Sequence, residues 1–377
     1  GLFHLLNIST FAVTDSLAIV DAHFHVTQMA GNPSYVPTGI NGENGDEMSF
    51  VGRVANSLTY FGMIILNHID HTRYQKMFDR NWNNFPDIME LASQASLVFS
   101  NSEPLIDFPR PTSSRFIDIG GISTHESYKP LNETWGALLD RRKHNVFISF
   151  GTYLQSHIMP REYKETIKEV ARRMPEVTFI WKYERPSHKI SEGIDNLVEV
   201  TWIPQYDLLN DPRLTAFITH CGQGSTTEAY SAGIPLIVVP VIADQFRNAQ
   251  AVKRSGVGLV LDKMDLSQPE PLEHALREIL KKKKYRRRAL EVKSMLEERP
   301  FTMKQIFVKN MEFVAKHGPL RQLDHYGRHL NFIQYYLIDV IAILSLLAIT
   351  VLLLVTYIAY AVFRFMAKII VHKKKTD

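Results

Sequence analysis

Between residues 144 and 285 the chain alternates two patterns. Short, almost uninterrupted apolar runs occur at Asn145–Phe150, Thr178–Trp181, Leu197–Val200, Ala216–Ile218, Leu236–Val239 and Gly258–Leu261. Apolar residues recur at helical spacing over Arg161–Arg173, from Thr226 onward, over Phe246–Ser255 and over Pro271–Lys284. A strand covered on both faces has no polar side, so this alternation predicts a parallel α/β sheet with helices on both faces. Ligands of such sheets are expected beyond the carboxyl ends of the strands.

Upstream the signal is sparser. A short strand is predicted near Thr10–Val13, a Gly-, Pro- and Asn-rich loop over Gly31–Glu47, and a helix from the spacing over Met48–Asp79. Two further strands are predicted at Ser96–Ser100 and Arg115–Ile119, the second running into Gly120-Gly121. The expected organisation is a first unit over 1–130, a connection over 131–143, a second unit over 144–330, an apolar span over 337–363 and a basic tail over 364–377. The opening Gly1 follows no Met, basic n-region or signal core, so the sequence reads as the C-terminal part of a longer chain.

The run Val340–Phe363 carries no charge and would reach about 36 Å as a helix, enough for a bilayer core of about 30 Å. Tyr335, Tyr336, Tyr357 and Tyr360 stand toward its ends, where interfacial aromatics are favoured. The tail changes the meaning of the net charge. Of the formal +4, Arg364, Lys368, Lys373, Lys374 and Lys375 against Asp377 give 5 − 1 = +4. The rest is neutral, which excludes a basic nucleic-acid surface, and the tail places the C-terminus in the cytosol with the large units on the other side. Lys374-Lys375-Thr376-Asp377 has the di-lysine form of an endoplasmic reticulum retrieval address, so the expected location is that membrane, single-pass and type I. Asn7-Ile8-Ser9 and Asn132-Glu133-Thr134 fit the glycosylation acceptor pattern, making Asn7 and Asn132 candidates.

The basic run Lys281–Arg288 has Glu on either side and reads as the solvated face of a helix. Cys221 stands alone, so no intrachain disulfide is available; at a helix start its thiol is either reactive or a small filler, the latter preferred. His23 and His25, with His4 further upstream, lack the third and fourth ligands of a metal site, so no metal is expected.

Candidate chemistry concentrates in Trp202–Gln250. A strand over Ala216–Ile218 breaks at His220-Cys221-Gly222-Gln223-Gly224-Ser225 and a helix follows, the arrangement in which free N–H groups and a helix dipole receive an anion. The residues also admit structural roles. Ser225 and Glu228 form a capping box, Asp244 can cap the next helix, Trp202 can be core and His220 a satisfied buried histidine.

Taken together, Trp202-x-Pro204-Gln205, Thr219-His220-x-Gly222, Ser225-x-x-Glu228, Gly233-x-Pro235 and Asp244-Gln245 resemble the signature of the UDP-glycosyltransferases. The order of units, single anchor and tail are similar to the animal UDP-glucuronosyltransferases, over essentially the whole chain. The resemblance implies a GT-B fold, two Rossmann-like domains of which the first is incomplete, with a C-terminal transmembrane helix. It implies a UDP-sugar site in which Trp202 stacks on uracil, Gln205 meets its edge, Glu228 holds the ribose, and Asp244 and Gln245 contact the sugar. His220, Gly222, Gly224 and Ser225 are assigned to the diphosphate, with Thr152 as a further phosphate-side contact. The implied reaction is inverting transfer from a UDP-sugar, most simply UDP-glucuronate, to a small lipophilic acceptor, with the donor as co-substrate and no cofactor. UDP-glucose as donor, or a non-catalytic membrane subunit of the same fold binding a partner or lipid-linked sugar, are the alternatives; self-association is compatible with each. Cys221 and Gln223-Gly224 stand where relatives often carry Gly or Asn. The family's catalytic His, with its assisting Asp, is expected upstream of Gly1, and His4, His23 and His25 do not sit in its local pattern.

Overall fold

The structure is a computed structural model describing residues 1–18, 21, 27, 29, 31–40, 44–124 and 128–373. It falls into two compact units, Gly1–Leu323 and Asp324–Asp377.

The larger unit is organised by a six-stranded sheet of β4 (His144–Ser149), β5 (Val177–Lys182), β6 (Leu197–Val200), β7 (Leu214–Thr219), β8 (Leu236–Val238) and β9 (Gly258–Val260). Its order is β6-β5-β4-β7-β8-β9 and every pairing is parallel. The order reverses direction between β4 and β7, the doubly wound topology whose ligand crevice opens at that reversal. The predicted runs are therefore strands, each within three residues of its expected end.

Period-two alternation decides which helices cover which face. Val146, Ile148, Phe179, Trp181, Ala216, Ile218 and Ile237 point to one side, where they pack on Ile167, Val170 and Ala171 of the helix Arg161–Arg173 and on Leu272, Ala275, Leu276 and Ile279 of the helix Pro269–Lys281. Phe147, Ile180, Phe217, Leu236 and Val238 point to the other side. There they meet helices Gln205–Asn210, Gln223–Ala232, Gln245–Ser255 and Lys284–Glu297. Phe147 and Phe217 stack across β4 and β7 with centroids 4.7 Å apart.

A smaller parallel sheet joins β1 (Val13–Thr14), β2 (Val98–Ser100) and β3 (Phe116–Asp118) in that order. The helix Phe50–Asn81 matches the spacing over Met48–Asp79, and Ser49 caps it by accepting from the Gly52 N–H. The helix Met303–His317, for which no element was predicted, packs Phe307, Met311 and Val314 on Leu97, Phe99 and Ile119 of the small sheet. Its capping box, Thr302 with Gln305, was the available signal. The run Lys281–Arg288 is not one helix: Lys282 has extended backbone and a second helix starts at Lys284.

Charged contacts tie the two sheets' elements together. Arg247 is 2% exposed and pairs with Asp107, while Arg299 pairs with Glu103. Burial alone would raise the Asp107 carboxyl, yet Arg247 and Arg110 hold it below its usual range. The Gln223 amide donates to Asn101 O at 2.8 Å, and the Lys129 N–H donates to Asp207 Oδ1 at 2.8 Å.

In the smaller unit, Ile338–Lys373 is one helix, of which Ile338–Lys368 is long and apolar enough to cross a membrane, an 18-residue stretch of it having mean hydropathy 2.9. It includes the predicted Val340–Phe363 and extends into the basic tail. Lys374–Asp377 lie outside the described residues, as do His23 and His25.

Candidate UDP-sugar site

The loops after β4 and β7 leave toward opposite faces of the sheet, so their first residues face each other at the reversal. The β4 loop contributes Gly151, with φ +89°, and the exposed Thr152. The β7 loop contributes His220, Cys221 with φ +68°, and Gly222. The imidazole of His220 fills the gap between them. A Cβ built on Gly151 would stand 2.6 Å from His220 Cε1, and one on Gly222 would stand 2.5 Å from His220 Nε2. Both glycines are therefore required by the ring, and Gly151 by its positive φ as well.

His220 Nδ1 lies 3.3 Å from Thr219 Oγ1. Burial, helped by the nearby Lys182 charge, lowers its pKa to about 4. The ring is neutral at pH 7 and offers one donor and one acceptor. Lys182 ends β5 and donates from Nζ to Gly151 O at 3.0 Å, which brings a cation to the same rim. Lys182 was not singled out in the sequence; its place at the carboxyl end of a strand in a doubly wound sheet was the signal.

The helix after β7 begins at Gln223, three residues before its expected start, with Gly222 at the N-cap and no side chain capping it. This removes the capping box as the explanation of Ser225 and Glu228, since a helix starting at Gln223 places Ser225 in its first turn. The N–H groups of the first turn point outward without intrahelical acceptors, the first such bond running from Thr226 N to Gly222 O. Nothing lies within 4 Å of a Cβ built on Gly224, so space rather than sterics surrounds it.

Freed from capping, Ser225 and Glu228 meet Gln205. Gln205 Nε2 donates to Glu228 Oε2 at 2.7 Å and approaches Ser225 Oγ at 3.3 Å. Trp202, just upstream, is 73% exposed, which rules out a core role in this conformation. Trp202, Gln205 and Glu228 line a cavity of about 1360 Å³ that also takes in Gly120, Gly121 and Arg299. Thr152, His220 and Asp244 are not among its walls.

Asp244 stands at the N-cap of Gln245–Ser255 but makes no capping bond. Its carboxylate accepts from Asn248 Nδ2 at 2.8 Å, and burial raises its pKa. Asn248 Nδ2 also donates to Cys221 O at 3.1 Å, linking Asp244 to the β7 loop. Gln245 is buried, and its Oε1 accepts from the Val241 and Ile242 N–H groups, so its carbonyl end holds the turn after β8. The Cys221 thiol is buried, pushed up to about 12 mainly by desolvation, and accepts from Thr226 Oγ1 at 3.6 Å. It is the filler residue, since a thiol so raised carries no thiolate at pH 7.

The predicted residues thus lie at the carboxyl ends of four strands: Thr152 after β4, Trp202 and Gln205 after β6, His220, Gly222, Gly224, Ser225 and Glu228 after β7, and Asp244 and Gln245 after β8. Asn7 and Asn132 lie apart and exposed, Asn132 Oδ1 capping the helix Glu133–Leu139 through the Trp135 N–H at 3.1 Å. Among the described residues no group of three or more His, Cys, Asp or Glu could hold a metal ion.

The sequence profile of the family described as UDP-glucoronosyl and UDP-glucosyl transferase matches residues 2–377. The chain belongs to that family. Among the relatives of this UDP-sugar transferase family, the Caenorhabditis elegans protein ugt-48 is 31% identical over 70% of this chain and 51% of its own length. Human UDP-glucuronosyltransferase 1A5 is 28% identical over 88% of this chain and 61% of its own length. The chain therefore spans about half to three-fifths of these two curated relatives. The crystal structure of the glycotransferase of kitacinnamycin is similar with a TM-score of 0.51 at 19% identity, covering 70% of this chain and 66% of that one. That likeness concerns the fold: α/β with parallel sheets, of the GT-B type.

Proposed function

We propose that the site binds a UDP-sugar and that the complete enzyme transfers its sugar, most simply glucuronate, to a small lipophilic acceptor with inversion. The observation carrying this is the convergence of two glycine-bearing loops at the sheet's reversal, with an uncapped helix start, a neutral histidine and Lys182 on one rim. In the transfer, UDP is the leaving group, so negative charge grows on its diphosphate. Preoriented N–H groups of Gln223, Gly224 and Ser225, with the Lys182 ammonium, stabilise that charge. His220 Nε2 and Thr152 add directed contacts. The exposed Trp202 indole offers a flat face to uracil, Gln205 its edge, and Glu228 accepts from the ribose diol. Asp244, with Gln245 beside it, meets the sugar. On this reading these groups meet the diphosphate without a metal.

The span Ile338–Lys368 anchors the enzyme with its large unit lumenal in the endoplasmic reticulum, where Asn7 and Asn132 would be open to glycosylation. Calorimetry of the 377-residue chain in detergent tests the site: UDP binds, and Trp202→Ala and His220→Ala each weaken it about 10-fold or more, the loss of one good contact to a charged or stacked group. Unchanged affinity in both removes the assignment. Competition between UDP-glucuronate and UDP-glucose then decides the donor.

A further inference from the structure

The turns that carry the proposed diphosphate and sugar contacts are both strained. Among the described residues six non-glycine residues have positive φ, and two of them, Cys221 at +68° and Ala243 at +55°, immediately precede Gly222 and Asp244. Neither is an Asn or Asp, the types that enter the left-handed region most readily, and such backbone persists only where its surroundings over-determine it. One side chain holds both turns. Asn248 follows Asp244 by one turn of the helix Gln245–Ser255, so the two share a face, and it is 4% exposed. Its amide nitrogen carries two protons. Asn248 Nδ2 donates to Asp244 Oδ2 at 2.8 Å and to Cys221 O at 3.1 Å, which uses both.

The chemistry of this partner suits a sugar contact. A lysine or arginine in its place would neutralise Asp244 and compete with sugar hydroxyls for it. A neutral amide directs the carboxylate and leaves its charge available to accept from those hydroxyls. Burial raises the Asp244 pKa, and the Asn248 bond acts the other way, toward the ionised form. Asp244 makes no capping bond, so its direction does not come from the helix start. The neighbouring Arg247 is engaged with Asp107 across the sheets. Asn248 is too buried to meet a donor itself and acts through the two groups it holds.

We infer that Asn248 is a positioning residue for donor recognition: it holds the Asp244 carboxylate and the Cys221 carbonyl at one spacing, and so fixes the sugar contact relative to the diphosphate contacts. The inference rests on the UDP-sugar reading of the site.

The full chain in detergent is titrated calorimetrically with UDP, UDP-glucuronate and UDP-glucose. The reading is the dissociation constant of the tighter sugar nucleotide divided by that of UDP. Asn248→Ala should raise this ratio about 10-fold, the loss of one directed bond to a charged group, while UDP alone weakens about threefold or less. In an Asp244→Ala chain, where the ratio is already raised, the same substitution should leave it unchanged. Equal weakening of UDP and the sugar nucleotide overturns the inference, because Asn248 then only supports the fold. An equal rise in the ratio with and without Asp244 overturns it too. Asn248→Ser, whose single proton serves at most one of the two acceptors, is read in the same way if Asn248→Ala does not fold. UDP that fails to bind the wild type removes the UDP-sugar reading and the inference with it. UDP that binds while Asp244→Ala leaves the ratio unchanged keeps the diphosphate half and overturns the inference alone.

Discussion

Gly222→Ala tests how the site is built. Gly222 has φ −64° and ψ 145°, which alanine adopts without strain. The three heavy atoms nearest the added Cβ would all belong to the His220 ring, at 2.5, 3.0 and 3.4 Å from Nε2, Cε1 and Cδ2. To reach ordinary contact the imidazole must move by about 1 Å, and on its other side Gly151 leaves no room. Overpacking of this kind costs about 1–3 kcal/mol of stability. On the proposed role of His220 the shifted ring would also lose its contact with the diphosphate, and a hydrogen bond to a charged group is worth about 1.5–3 kcal/mol, or about 10- to 150-fold in UDP affinity. Because all three close atoms belong to His220, the effect should vanish once the ring is gone. In a His220→Ala background, Gly222→Ala should change neither the unfolding midpoint nor the UDP dissociation constant appreciably. The double-mutant cycle is read by calorimetry and by scanning fluorimetry. A Gly222→Ala variant with wild-type affinity and stability, or equal losses with and without the ring, would refute the steric account.

Three further outcomes follow from named groups. The His220 pKa of about 4 lies below its unfolded value of 6.5, so the unfolded state takes up the proton first; stability is full above pH 6.5 and is lost as pH falls toward 4, by up to about 3 kcal/mol. Denaturation at pH 7.5 and pH 4.5 should show this loss in the wild type and less of it in His220→Ala. Lys182→Ala should weaken UDP binding about 10-fold and, by removing a nearby positive charge, raise the His220 pKa, read by histidine NMR titration. Arg247→Met removes the nearer of the two arginines that face the buried Asp107 and leaves Arg110 at 3.7 Å, so it should cost about 1.5–3 kcal/mol, with Asp107→Asn in the same chain restoring part of it; a loss under 1 kcal/mol would show the pair to be dispensable.

The sequence by itself determined the sheet and the neighbourhood of its chemistry. Apolar runs flanked by helical spacing can bury both faces in one way, and residues after such strands lie at their carboxyl ends, so His220, Asp244 and Thr152 were placed at the sheet's rim before any coordinates. The long apolar helix Ile338–Lys368 was equally legible, because its signal lies in contiguous residues. Tertiary structure decided what depends on distant partners. The helix start at Gln223, set by the left-handed Cys221 and by Gly222, turned Ser225 and Glu228 from capping residues into partners of Gln205. Lys182 gained its place only when β5 lay beside β4, and the packing of Met303–His317 on the small sheet joins segments some 200 residues apart. The pocket in Trp202–Gln250 is likewise a product of the fold. Its histidine is neutral because burial and Lys182 make it so, and Gly222, with Gly151 on the facing loop, is a glycine because the ring between them leaves no space for a Cβ.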